Sequence, residues 1–163
     1  MPTVTCPGCA LTFDADPSAP THGYFNHCGE CWALYGTILA AEYSNPAMFG
    51  AVHSLTVDAY AVQHAGGAHL DKSVDIHLAG LHLALVRGVG ARDMPRLLKR
   101  IADSVTDYPH FEPPPPAALT VRDVAGAETA DEHARRVRAW AAAVWASWAE
   151  HHAAIAAFVA RVR

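Results

Sequence analysis

The chain has 163 residues, 52% of them hydrophobic and 17% charged, with a formal net charge of −4 and a pI near 6.2. That length suits one domain, residues 1–163, with a real core, and the apolar content excludes an intrinsically disordered chain. The acidic balance and the lack of any Lys/Arg tract exclude the electrostatic footprint of a nucleic-acid binder.

Residues 1–31 hold all four cysteines among Pro, Gly, Asp, Asn and Ser. This composition makes turns and supplies little core, so a metal ion is expected to order the segment as a zinc-binding head. No basic stretch followed by an apolar one opens the chain, which is the expectation for a cytoplasmic protein. Cys6-Pro-Gly-Cys9 and Cys28-Gly-Glu-Cys31 are two C-x2-C pairs separated by 18 residues. That spacing suits a tetrahedral zinc site built from Cys6, Cys9, Cys28 and Cys31. Four thiolates leave no open position on the ion, so the expected role is structural. His22 and His27 lie between the pairs, and His22 is the alternative ligand because it is not crowded against Cys28. Disulfides are the competing outcome, disfavoured in a reducing compartment.

From Trp32 onward Leu34, Ile38 and Ala41 recur at helical spacing, and Pro46 ends this first helix or closely follows its end. A second helix is predicted from Ser54 to His64, stopped by Gly66-Gly67, and a third from Ser73 to Arg87, stopped by Gly88 and Gly90. Asp93 can cap a fourth helix through Ile101 and Val105. Residues 109–116, with four consecutive prolines, then force an extended connection expected to wrap the bundle. Thr129-Ala-Asp-Glu132 fits a capping box that opens the longest helix, running toward the C-terminus with Val137, Val144, His151 and Phe158 in one row. Glu150, His151, His152 and Arg161 interrupt its apolar run, so no membrane span is expected. The predicted architecture is mainly α: a bundle of about five helices over residues 32–163, headed by a Cys-rich zinc knuckle or ribbon.

Asp58 lies between Leu55 and Val62 on the buried stripe of the second helix, where a carboxylate needs a partner. His77 falls in the stripe Val74, His77, Leu78, Leu81 and Leu85, whereas His82 is turned roughly 140° away from it. His64 closes the second helix and His151 occupies a core row of the last. The expectation is that Asp58, His64, His77 and His151, the last next to His152, converge on a second metal ion or an acid/base pocket. The plainer alternative is that these histidines are satisfied by backbone carbonyls or carboxylates. Tyr60, Gln63, Trp140, Trp145 and Trp148 read as core around this set. Ser73 and Thr56 sit in no nucleophile motif, and no glycine-rich phosphate loop is present.

Thr21-His22-Gly23-Tyr24, Cys31-Trp32, Leu55-Thr56-Val57-Asp58-Ala59-Tyr60, Gln63-His64, His77-Leu78-Ala79-Gly80-Leu81, the proline run, and Trp145-Ala-Ser-Trp148 followed by His151-His152 form a combination of motifs. In it the chain resembles, over nearly its whole length, a family of small bacterial proteins of unknown function. The resemblance implies no activity; it places Asp58, His64, His77 and His151-His152 in the family's motif. Two departures stand out. The family has Pro after the Gln-His pair where this chain has Ala65, and it often lacks a cysteine at the position of Cys28, which implies a site of three cysteines and His22 with Cys28 a spare. The spacing within this chain still favours four cysteines. The functional expectation is a zinc-binding helical protein with metalloenzyme chemistry at the His/Asp set. The alternative is a zinc-stabilised accessory protein without catalysis. The partner would be a small molecule or a protein.

Overall fold

The computed structural model describes residues 2–162. A short hairpin opens the chain, with β1 (Thr3–Thr5) antiparallel to β2 (Thr12–Asp14) and Val4 opposite Phe13. Seven α-helices follow among the described residues: α1 (Gly29–Ser44), α2 (Pro46–Gln63), α3 (Asp71–Leu85), α4 (Met94–Ser104), α5 (Val121–Val124), α6 (Ala130–Ser147) and α7 (His152–Ala160). A 3-10 turn at Ala149–His151 separates the last two.

The count exceeds the expected five for local reasons. The Asn45 side chain accepts from the backbone of Ala47 and Met48, and Pro46 takes the first helical position, where its missing N–H and preset φ cost nothing. Pro46 therefore opens α2 eight residues ahead of Ser54. Thr120 and Asp123 form a reciprocal capping box around the single turn of α5. Thr129 caps α6 through Glu132 N–H as its sequence suggests, but the helix stops at Trp148, with φ −90° and ψ 15°. The expected row Val137, Val144, His151, Phe158 is broken there. His151 leaves the core and donates to the Glu112 carbonyl at 2.9 Å.

α2 packs on α1, α3 and α6, while α3 is enclosed by α2, α4, α6 and α7. This placement corrects the reading of His82. Although it is off the apolar stripe, it is buried, with its ring 5.9 Å from that of Trp145, because α3 has neighbours on nearly every side. Trp140, Trp148, Tyr60, Leu78, Leu81 and Ile155 fill the core. Cys6, Cys9 and Cys31 belong to the same apolar cluster, so the knuckle packs directly on the helices. Gln63 accepts from Trp140 Nε1 at 2.9 Å and donates to the Leu119 carbonyl at 2.9 Å, pinning the chain beyond the prolines to α2 and α6. Among the described residues no helix is long and apolar enough to cross a membrane.

Candidate metal centre

Cys6, Cys9, Cys31 and His64 are the one group of potential metal ligands that the described residues bring together, their ligand atoms all lying within 4.8 Å of one another. The tip of the hairpin supplies the first two. Cys6 N–H bonds to the Leu11 carbonyl at 2.8 Å and Ala10 N–H to the Cys6 carbonyl at 2.9 Å, with Ala10 at φ 60°. This turn carries both thiols inward. A Cβ on Gly8 would lie 2.6 Å from both the Asn26 carbonyl oxygen and His64 Cδ2, so glycine is what lets the knuckle approach the end of α2. Asn26 closes the join from the other side, donating N–H to the His64 carbonyl at 3.0 Å and Nδ2–H to the Ala65 carbonyl at 3.2 Å.

Cys31 sits in the first turn of α1 and His64 at the C-cap of α2. Cys9 Sγ and Cys31 Sγ are 3.8 Å apart, and Cys31 Sγ lies 3.4 Å from His64 Nε2. Bonds of about 2.3 Å to sulfur and about 2.0 Å to nitrogen at tetrahedral angles would put S···S at about 3.8 Å and S···N at about 3.5 Å. The two observed edges match that tetrahedron. All four residues are buried, at 0–3% exposure.

The surrounding hydrogen bonds set the tautomers. His64 Nδ1–H donates to the Tyr60 carbonyl one turn back at 2.7 Å, leaving the Nε2 lone pair toward the sulfurs. His22 N–H donates to His27 Nε2 at 3.1 Å, so the proton of a neutral His27 is on Nδ1, 2.8 Å from Tyr60 Oη. Tyr60 is then free to donate its O–H to Cys31 Sγ at 3.6 Å. Burial, reinforced by His64, holds His27 down at about 4, which keeps it in that neutral form.

The thiols cannot all ionise on the protein's own resources. Hydrogen bonds from Cys31 and Cys9 hold Cys6 far below the usual thiol range. Cys31 is pushed far above that range by Cys6, Cys9 and burial. Cys9 gains from Cys31, but Cys6 and burial together push it up to about 12. Thiols packed this closely oppose one another's ionisation, and a cation among the sulfurs would relieve that repulsion.

Two of the expected ligands stand elsewhere. Cys28 is the N-cap of α1, outside the helix and only half-buried, so the Cys28–Cys31 pair presents one sulfur to the centre rather than two. Burial pushes its thiol up to about 11. His22 stacks on Phe25, with ring centroids 4.4 Å apart, and its ring is turned to that aromatic group. The fourth member of the cluster is His64.

The expected convergence of Asp58, His64, His77 and His151 is reduced to one pair. His77 Nδ1 bonds Asp58 Oδ1 at 2.8 Å across the α2–α3 interface, while His64 belongs to the sulfur cluster and His151 to the proline segment. Sequence reading missed a second buried network. Glu42 on α1 is fully buried; its Oε1 accepts from His133 Nε2 at 2.8 Å and from the Thr56 hydroxyl, and its Oε2 from His53 Nδ1 at 2.7 Å. The only clue available was Glu42 itself, an acid within the apolar register of α1.

The chain belongs to the family of unknown function DUF5946, whose profile matches residues 4–149. Among curated proteins and among solved structures, nothing matches.

Proposed function

We propose that this DUF5946 member is a zinc-locked helical protein, in which Cys6, Cys9, Cys31 and His64 hold one zinc ion in a structural role. The observation that carries the reading is four buried ligands whose atoms all lie within 4.8 Å of one another, two of their edges matching a zinc tetrahedron. Three thiolates and one imidazole suit zinc, and with every coordination position filled from the protein no site remains for substrate or water on the ion. The ion ties together the hairpin, the start of α1 and the end of α2, three segments that local structure alone does not join. Chemistry, if the protein performs any, is then the business of side chains away from the zinc, and the role without it is that of an interaction or accessory protein.

Metal analysis of untagged protein tests this. One equivalent of zinc per chain is expected, retained by Cys28→Ser and lost from Cys9→Ser and His64→Ala. Loss from Cys28→Ser together with retention in His64→Ala would restore the four-cysteine site and overturn the proposal.

A further inference from the structure

Asp58 and His77 face each other where α2 meets α3, and the residues around them leave the pair unusually isolated. Asp58 is 3% exposed; its Oδ1 is bonded to His77 Nδ1, and its Oδ2 is sealed from water with no partner among the described residues. The carboxylate fits there because position 80 is glycine: a Cβ on Gly80 would lie 2.1 Å from Asp58 Oδ2. The imidazole is thus the one group hydrogen-bonded to a buried carboxylate. The other ring nitrogen, His77 Nε2, bonds to no atom of the described residues and is not sealed off, the side chain being 22% exposed. His77 is one of the residues lining a cleft of about 320 Å³, with Tyr24, Leu70, Lys72, Ser73 and Ile76.

A neutral imidazole whose Nδ1–H is held by a buried carboxylate has its Nε2 lone pair fixed in direction, and any positive charge it acquires is stabilised from behind. The walls are largely apolar, with Tyr24 and Leu70 exposed at the rim, and Lys72 adds a cation beside them. A metal is not what this arrangement fits, because the cleft offers a single ligating nitrogen and the multi-ligand cluster of the described residues is the cysteine one.

We infer that Asp58 and His77 form an acid–base site, separate from the metal centre, which takes the proton of a weakly acidic hydroxyl group on a small apolar molecule seated in the cleft. The O–H bond of the ligand breaks, the proton forms an N–H bond at His77 Nε2, and the electron pair stays on the oxygen as an anion beside the imidazolium. His77 is the group that touches the ligand; Asp58 is a positioning residue that acts through it.

The test uses the full, metal-loaded chain and 4-nitrophenol as the probe, at a pH where the free phenol is mostly protonated. Wild type should produce a saturable rise in phenolate absorbance, and His77→Gln should lower it by about tenfold or more. Asp58→Asn should still bind the phenol but ionise less of it, and His82→Gln, a buried histidine on the same helix, should behave as wild type. Nitrogen-15 spectra of wild type give a second readout that needs no variant: His77 should carry its proton on Nδ1 when free and on both nitrogens when the phenol is bound. An absent or non-saturable signal, a signal that survives in His77→Gln, an Asp58→Asn response equal to wild type, or an Nε2–H tautomer in the free protein would each overturn the inference. All variants should keep their metal, so failure here is distinguishable from failure of the zinc proposal.

Discussion

The cysteine cluster and the Glu42 network both bury ionisable side chains drawn from distant parts of the chain, and they solve the charge problem in opposite ways. Around Glu42 the protein supplies the donors itself: two imidazoles and a hydroxyl satisfy one carboxylate. Around Cys31 it gathers three thiols and an imidazole with its lone pair turned inward, with the Tyr60 hydroxyl as a donor and no cationic side chain in the cluster, a set that on the zinc reading takes its positive charge from an ion. A buried cluster in excess of donors or balanced by them is architecture; one in excess of ligands is a binding site.

Removing the ion should have the largest effect if this contrast is right. Chelation is expected to free the hairpin, the start of α1 and the end of α2 together, because metal binding in such a knuckle is folding free energy, apparent values being about 10–16 kcal/mol in small zinc domains. Amide hydrogen exchange measures it: protection should fall at Cys6–Leu11 and at His64–Ala65 while α6 keeps its protection. Unchanged exchange at Ala65 would show that the join to α2 does not depend on metal. Glu42→Ala should come next, costing about 3–5 kcal/mol, since it strands the buried His133 imidazole and takes their shared partner from Thr56 and the part-exposed His53. Chemical denaturation gives the value, and a cost below about 1 kcal/mol would mean the network is no more than surface-like.

Asp75 sharpens the comparison, because it has neither solution. It is 1% exposed and neither carboxylate oxygen has a partner among the described residues, so burial, reinforced by the charge of Asp71, pushes its carboxyl up to about 7. The folded state therefore keeps a proton that the unfolded chain gives up near the ordinary value of about 3.9. With the folded value raised, stability is greatest below pH 4, declines as pH rises toward 7, and is level above that, by an amount of order 2–4 kcal/mol. Asp75→Asn should remove this slope. The measurement is the difference in unfolding free energy between wild type and variant across pH 4–8, which should change steadily up to about pH 7; a flat difference would show that Asp75 is not protonated in the fold.

Much of the helical plan was legible locally. Thr129 caps α6 in the expected place, and the glycines after residues 64 and 86 end α2 and α3 close to where they were expected to. Local rules failed where they offered two outcomes. A proline after a polar residue can follow one helix or open the next, and the Asn45 cap decides for the second. An alanine-rich stretch without Gly or Pro gives no sign of the break at Trp148, so His151 was assigned to a core row that ends before it. Periodicity put Asp58 and His77 on buried faces, and they do meet; it could not tell that His64, one residue beyond the end of α2, turns to the sulfurs instead.

What the sequence determined by itself is what depends on neighbours a few residues apart: the turn that presents Cys6 and Cys9, the caps and periods of the longer helices, the need of Asp58 for a partner. Only the tertiary structure decided the fourth member of the sulfur cluster and the buried pairs. Cys31 and His64 are 33 residues apart, and Glu42 and His133 are 91 apart. Spacing in a C-x2-C pair says that two sulfurs are near each other, but the start of a helix between them turns one inward and the other out, and the packing of α2 against the knuckle then brings an imidazole to the position left open.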